Sequence, residues 1–188
     1  MGMVLIVLSV LGGKEELFLL LNNDLGKLGD VFFHYTTFLG DGIMWVPFAL
    51  WIIFYKRKWT PLVISAILFS TLLVNIGKHY VFENEARPTS AISNQALIHT
   101  VEGVELHKTN SFPSGHSSTA FSIYLIACLV LSARYLWLGG FFLALIAGYS
   151  RIYLAQHFPL DAGAGMIVAV ISVYLSLLVQ KKWTLRKA

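Results

Sequence analysis

Between Ser150 and Asp161 the chain sets an arginine, a histidine and an aspartate (Arg151, His157 and Asp161) between two long apolar runs. Ionisable side chains in such surroundings are costly and mark function by default. Arg151 can bind an oxyanion and His157 can act as nucleophile or acid/base. Asp161 lies four residues further on and can orient the imidazole if the intervening turn is helical. A second group, Pro113-Ser114-Gly115-His116, opens another apolar run. Ser114 suits a helix N-cap, the amides after it would face an anion, and Gly115 lets backbone approach closely. Lys78 and Arg87 close a third run. Cations, helix-start amides and two histidines together make a site for phosphate. The cations spread charge from the equatorial oxygens, and a neutral imidazole at 157 attacks phosphorus while Asp161 steadies the cation formed. His116 protonates the leaving oxygen and later activates water.

The elements that must carry these groups are membrane helices. Of 188 residues, 56% are hydrophobic and 13% charged, and the mean hydropathy is +0.68, far from the composition of a soluble domain. One integral membrane domain over residues 1–188 is expected. Residues 1–11 are apolar but too few to cross a bilayer core, so the first span is short, thinned or shortened. Residues 14–40 read as an external, partly interfacial segment, with Phe32, Phe33, His34 and Tyr35 at headgroup level. Further spans are expected at 42–55, 61–81, 117–131, 137–153 and 159–179. That makes an all-α polytopic bundle of about six helices. Ala162 to Gly165 would let another helix come close. Lys56, Arg57, Lys58, Arg134, Lys181, Lys182, Arg186 and Lys187 all fall on one side, and all ten Asp and Glu on the other. Both termini are therefore expected in the cytoplasm and the site at the external face, with these basic residues serving topology and no nucleic acid. The N-terminal run has neither the basic start nor the cleavage pattern of a signal peptide. The single cysteine, Cys128, sits in an apolar run and offers no disulfide or thiolate metal cluster.

Pro113 to His116, the pattern Ser150-Arg151 with His157 and Asp161, and an upstream lysine followed by Arg87-Pro88 resemble the three signatures of the type-2 phosphatidic acid phosphatase family. That family lies within the vanadium haloperoxidase superfamily, and the resemblance covers residues from about 60 to 175. The second and third signatures match in full. In the first, eight residues separate Lys78 from Arg87, a wider gap than the family's usual one. The resemblance implies a six-helix phosphatase that needs no metal or cofactor. It makes His157 the carrier of a phosphohistidine intermediate, Asp161 its orienting group and His116 the acid/base. It makes Lys78, Arg87, Ser114, Gly115 and Arg151 the phosphate binders. His79, His99 and His107 lack partners at fixed spacing and read as loop or interface residues, and Glu102, Glu105 and Lys108 as a solvated face. The expected substrate is a membrane lipid phosphate, with undecaprenyl pyrophosphate first and lipid A or phosphatidylglycerophosphate as competitors. The long polar stretch from Thr89 to Phe112 is where a headgroup would be read. An inner-membrane location follows, while oligomeric state stays open. Two further readings are a lipid-to-lipid phosphotransferase and a transporter or scaffold, the last of which predicts ionisable residues at mid-span.

Overall fold

The computed structural model describes residues 1–131 and 134–185, with Arg134 and Leu136 described by backbone alone, so Arg186 and Lys187 lie outside the described residues. Every regular element among the described residues is helical: α1 (Gly2–Gly12), α2 (Lys14–Leu21), α3 (Gly26–Thr36), α4 (Trp45–Tyr55), α5 (Thr60–Ile76), α6 (Pro88–Ala91), α7 (Gly115–Leu131), α8 (Arg134–Tyr153) and α9 (Pro159–Leu185). Helix α9 is the axis of the bundle and packs on α5, α7 and α1. Glycines allow two of these approaches. A Cβ on Gly165 would run into the backbone oxygen of Ser114, and one on Gly163 would lie 2.7 Å from the backbone oxygen of Gly2. The expected small-residue crossing thus serves two helices at once, α7 on one side and α1 on the other.

Among the described residues, two segments are long and apolar enough to cross a membrane alone: Arg57–Val81, which contains α5, and Pro159–Leu185. A third is available if Gly26–Gly40 and Gly42–Tyr55, bent by 54° at their junction, form one broken span. Helix α1, with 11 residues, rises only about 16 Å, short of a bilayer core. These segments, with the shorter apolar helix α7, are consistent with the expected helical membrane bundle. The segment 14–40 differs from expectation, because α2 and α3 dock on the bundle. Phe33, expected at headgroup level, is buried with its ring 4.5 Å from that of Tyr153 and 5.2 Å from that of Tyr149. Gly29 permits this, since a Cβ there would meet the Tyr153 hydroxyl at 2.8 Å.

The polar stretch 89–112 is tied down as well. Ile92 and Ile98 are buried beside Phe18, Ile152 and Phe158. Asn22 donates to the carbonyls of His99, Ile152 and Tyr153 and accepts from the His99 amide. At the opposite end of the bundle, Gln180 on α9 donates to the Lys58 carbonyl and accepts from the Leu62 amide before α5 leaves for the other side.

Candidate active site

The end of α8 explains the five-residue gap between Arg151 and His157. Ala155 takes a left-handed conformation (φ 54°). The Gln156 amide then bonds back to the Arg151 carbonyl at 2.8 Å, and the Ala155 amide to that of Ile152 at 3.1 Å. This is a Schellman ending, here closed by an alanine where glycine is usual. It reverses the chain, so His157 falls beside the residues of the last turn. Pro159 then occupies the first turn of α9, where its missing N–H costs nothing. Asp161 Oδ2 accepts the Phe158 amide at 2.9 Å, half of a capping box. The same oxygen lies 3.4 Å from His157 Nδ1. The four-residue spacing therefore works through the helix cap, with His157 outside the helix, and the expected helical turn between them is absent.

Ser111 completes this pair. Its hydroxyl donates to Asp161 Oδ2 at 2.5 Å and lies 3.5 Å from His157 Nδ1. The long loop brings it there by pairing with its own start: the Arg87 amide bonds the Lys108 carbonyl, and the Ser111 amide bonds that of Glu85. With Nδ1 committed to this side, Nε2 is the imidazole nitrogen left to react. Burial, aided by Arg87, Arg151 and Lys78, holds His157 well below the usual histidine range, so the ring is neutral.

The cations come from three elements. Arg87, 6% exposed, donates from Nε to the Thr109 carbonyl and from Nη1 to the carbonyl and side-chain oxygen of Gln156. Burial lowers its pKa from the ordinary value, with Asp161 opposing the shift. Arg151 donates from Nη1 to Thr37 Oγ1 at 2.9 Å, and its buried Nε has no partner within the protein. A buried donor left open in this way awaits an acceptor. Lys78 sits in a π-helical turn, Gly77–Val81, that extends α5 and acts electrostatically with Arg87, Arg151 and Asp161. All three cations therefore act on one buried imidazole.

The second signature arrives on α7. Ser114 is fully buried; its amide bonds the Asp161 carbonyl at 3.0 Å and its hydroxyl accepts from the Ser117 amide and hydroxyl, as a cap should. Around Gly115, a Cβ would meet only a Val74 methyl at an ordinary 3.6 Å, so protein packing does not demand glycine there. His116 is partly open, its Nε2 4.0 Å from Asp41 Oδ2. The bend between α3 and α4 thus reaches the site twice, through Thr37 on Arg151 and Asp41 on His116. Gly40 makes the contact close, since a Cβ there would sit 2.9 Å from the His116 carbonyl oxygen.

Every site residue expected from sequence falls at this end of the bundle, and four groups join them. Ser111 could have been noticed for its place just before Pro113, and Gln156 for being an amide in an apolar turn. Thr37 and Asp41, over a hundred residues from Arg151 and seventy-five from His116, carried no signal. His99 is a structural tie. Its Nε2 lies 2.9 Å from Asp30 Oδ1, which also accepts the Tyr153 hydroxyl, and its Nδ1 lies 3.9 Å from Asp24. These three residues bring ligand atoms within 4.8 Å of one another, but the histidine is already occupied in holding the long loop to α3.

A buried neutral imidazole with a carboxylate at Nδ1 and three cations acting on it is an arrangement suited to phosphoryl transfer, at one end of a membrane helix bundle. Residues 59–185 match the PAP2 superfamily, and the chain belongs to that family of lipid phosphatases. Among curated relatives, an undecaprenyl-diphosphatase of Sulfolobus acidocaldarius is 26% identical over 97% of this chain and 88% of its own length. A lipid A 4'-phosphatase of Porphyromonas gingivalis is 28% identical over 86% of this chain and 70% of its own. Among solved structures, that of Aquifex aeolicus LpxE is 36% identical over 86% of this chain and 93% of its own, with a TM-score of 0.67.

Proposed function

We propose that this chain, acting as one domain over residues 1–188, removes phosphate from a membrane-anchored diphosphate, with undecaprenyl diphosphate the best candidate. His157 Nε2 attacks phosphorus, an N–P bond forms, and the bond to the leaving oxygen breaks. His116 supplies the proton that the leaving oxygen takes. Water then attacks the phosphohistidine, His116 takes its proton, the N–P bond breaks and inorganic phosphate departs. The observation that carries this reading is the neutral His157 with Nδ1 against Asp161 and three cations around it. Lys78, Arg87 and Arg151 supply the positive charge that a metal would otherwise bring, so the reaction is proposed to run without one. Arg151 Nε, a buried open donor, suits a phosphate oxygen. The near full-length likeness to an undecaprenyl-diphosphatase favours that lipid over lipid A or phosphatidylglycerophosphate.

Lys56 to Lys58 and Lys181 to Lys182 share the end tied by Gln180, and the site lies at the other. That charge distribution supports a cytoplasmic C-terminus and an external site in the plasma membrane, whereas the expected cytoplasmic N-terminus does not fit the fold, because Gly2 packs on Gly163 beside the site end of α9. Purified protein in detergent with chelator should release inorganic phosphate from undecaprenyl diphosphate without any acceptor lipid, and His157→Ala should abolish it. Release that persists in His157→Ala would refute the nucleophile. A strict need for a divalent ion would refute the metal-free step, and phosphate appearing only with a second lipid would make the protein a transferase.

A further inference from the structure

A lipid phosphatase must also hold the part of its substrate that does not react. Close to the site lies an apolar groove of about 670 Å³ between α4, α7 and α8. Its upper rim is Leu39, which lies between Thr37, the partner of Arg151, and Asp41, the neighbour of His116. Ala120, one helical turn below His116, continues the wall on α7 down to Ala127. On α8 the wall runs from Ala144 to Gly139 and beyond. The rise of one α-helix residue makes this α7 wall about 10 Å long, directed away from the site into the bilayer. The groove exists because the facing positions are small. A Cβ on Gly139 would meet nothing within 4 Å.

We propose that this groove holds the hydrocarbon chain of the lipid whose phosphate reaches His157, and that Leu39 is where chain and headgroup part. The proposal rests on the lipid-phosphatase reading above. Its occupant follows from continuity: Ala120, one turn after His116 on α7, lines the groove, the lining is almost wholly apolar, and a single segment, Thr37 to Asp41, borders both. The residues of that segment lie outside the stretch that matches the family, 59–185. The rim of the groove thus comes from outside that stretch, while its walls on α7 and α8 lie within it, between the second and third signatures.

The test is the ratio of kcat/KM for a long polyprenyl diphosphate to that for isopentenyl diphosphate, which share a headgroup. The ratio is measured in wild type, Gly139→Leu and Ala127→Leu, which fill the groove from opposite walls, with Ile171→Trp on the outer face of α9 as control. Displacing two methylenes from apolar burial corresponds to a fall in the ratio of about tenfold, and both filled variants should show it while Ile171→Trp keeps the wild-type ratio. An unchanged ratio in either filled variant that still turns over isopentenyl diphosphate would overturn the proposal, and would mean that the groove takes bulk lipid only. If one filled variant is lost to misfolding, the other decides. Wild-type protein that hydrolyses neither diphosphate would instead overturn the phosphatase reading, so the two failures are distinct.

Discussion

Asp161→Asn isolates the charge behind the nucleophile. Asparagine keeps the shape and an oxygen able to accept from Phe158 and Ser111, so the start of α9 retains its cap. What is lost is a negative charge 3.4 Å from the nitrogen of an imidazole that becomes cationic when Nε2 bonds phosphorus. At an effective dielectric of about 20, that interaction is worth about 5 kcal/mol in the transition state relative to the neutral ring. Each 1.36 kcal/mol is a factor of ten, so kcat should fall by roughly three to four orders of magnitude. KM should change little, because Lys78, Arg87 and Arg151 still bind the phosphate. Steady-state phosphate release, with thermal melting in the same detergent, makes the measurement. A kcat within about tenfold of wild type in a variant of unaltered melting temperature would refute the assignment of Asp161 as the group that steadies the histidine.

Gln156→Leu removes a side-chain acceptor from Arg87 Nη1 and the donor to the Glu105 carbonyl, so KM should rise about tenfold with kcat largely kept. A fall in kcat alone would count against a positioning role for Gln156. Ser111→Ala takes a hydrogen bond from the charged Asp161 and should lower kcat about tenfold, with KM unmoved. Ala155→Gly relieves a left-handed alanine and should raise thermal stability by about 1 kcal/mol; a lower melting temperature would contradict the Schellman reading. His157 stays neutral in the fold, so below about pH 6.5 the unfolded chain binds a proton that the folded one refuses. Stability from this source is complete above that pH and lost as pH falls beneath it. Melting temperatures at pH 7.5 and 5 should show a shallower loss in His157→Gln than in wild type.

The residues that gather at the candidate site were legible in the sequence because each sits at a chain feature with a local physical meaning. Ser114 is a cap, Pro159 a first-turn proline, Arg87 the residue before a proline, and Arg151, His157 and Asp161 are charges or imidazoles at the ends of apolar runs. Helices α5, α7, α8 and α9 were readable for the same reason, since composition alone distinguishes a span from a loop. Where local pattern and packing diverged, sequence reading went astray. Phe33 has the composition of an interfacial aromatic, yet Gly29 lets α3 come close enough to bury it on Tyr153. His157 and Asp161 have helical spacing, yet the helix ends before one and begins before the other.

Residue type and hydrophobic run length were enough to give the class of molecule and the end of the bundle at which the candidate site lies. Which nitrogen of His157 is committed to Asp161 follows from the folded chain, through a backbone reversal at Ala155 and a serine delivered by a distant loop. The tertiary structure also decided that Thr37 and Asp41 stand against Arg151 and His116, and that small residues on α7 and α8 leave an apolar groove beneath them. Such contacts join residues far apart in the chain, and no local propensity records them. They arise when the bend between α3 and α4 is packed onto the starts and ends of helices that the sequence shows only one at a time.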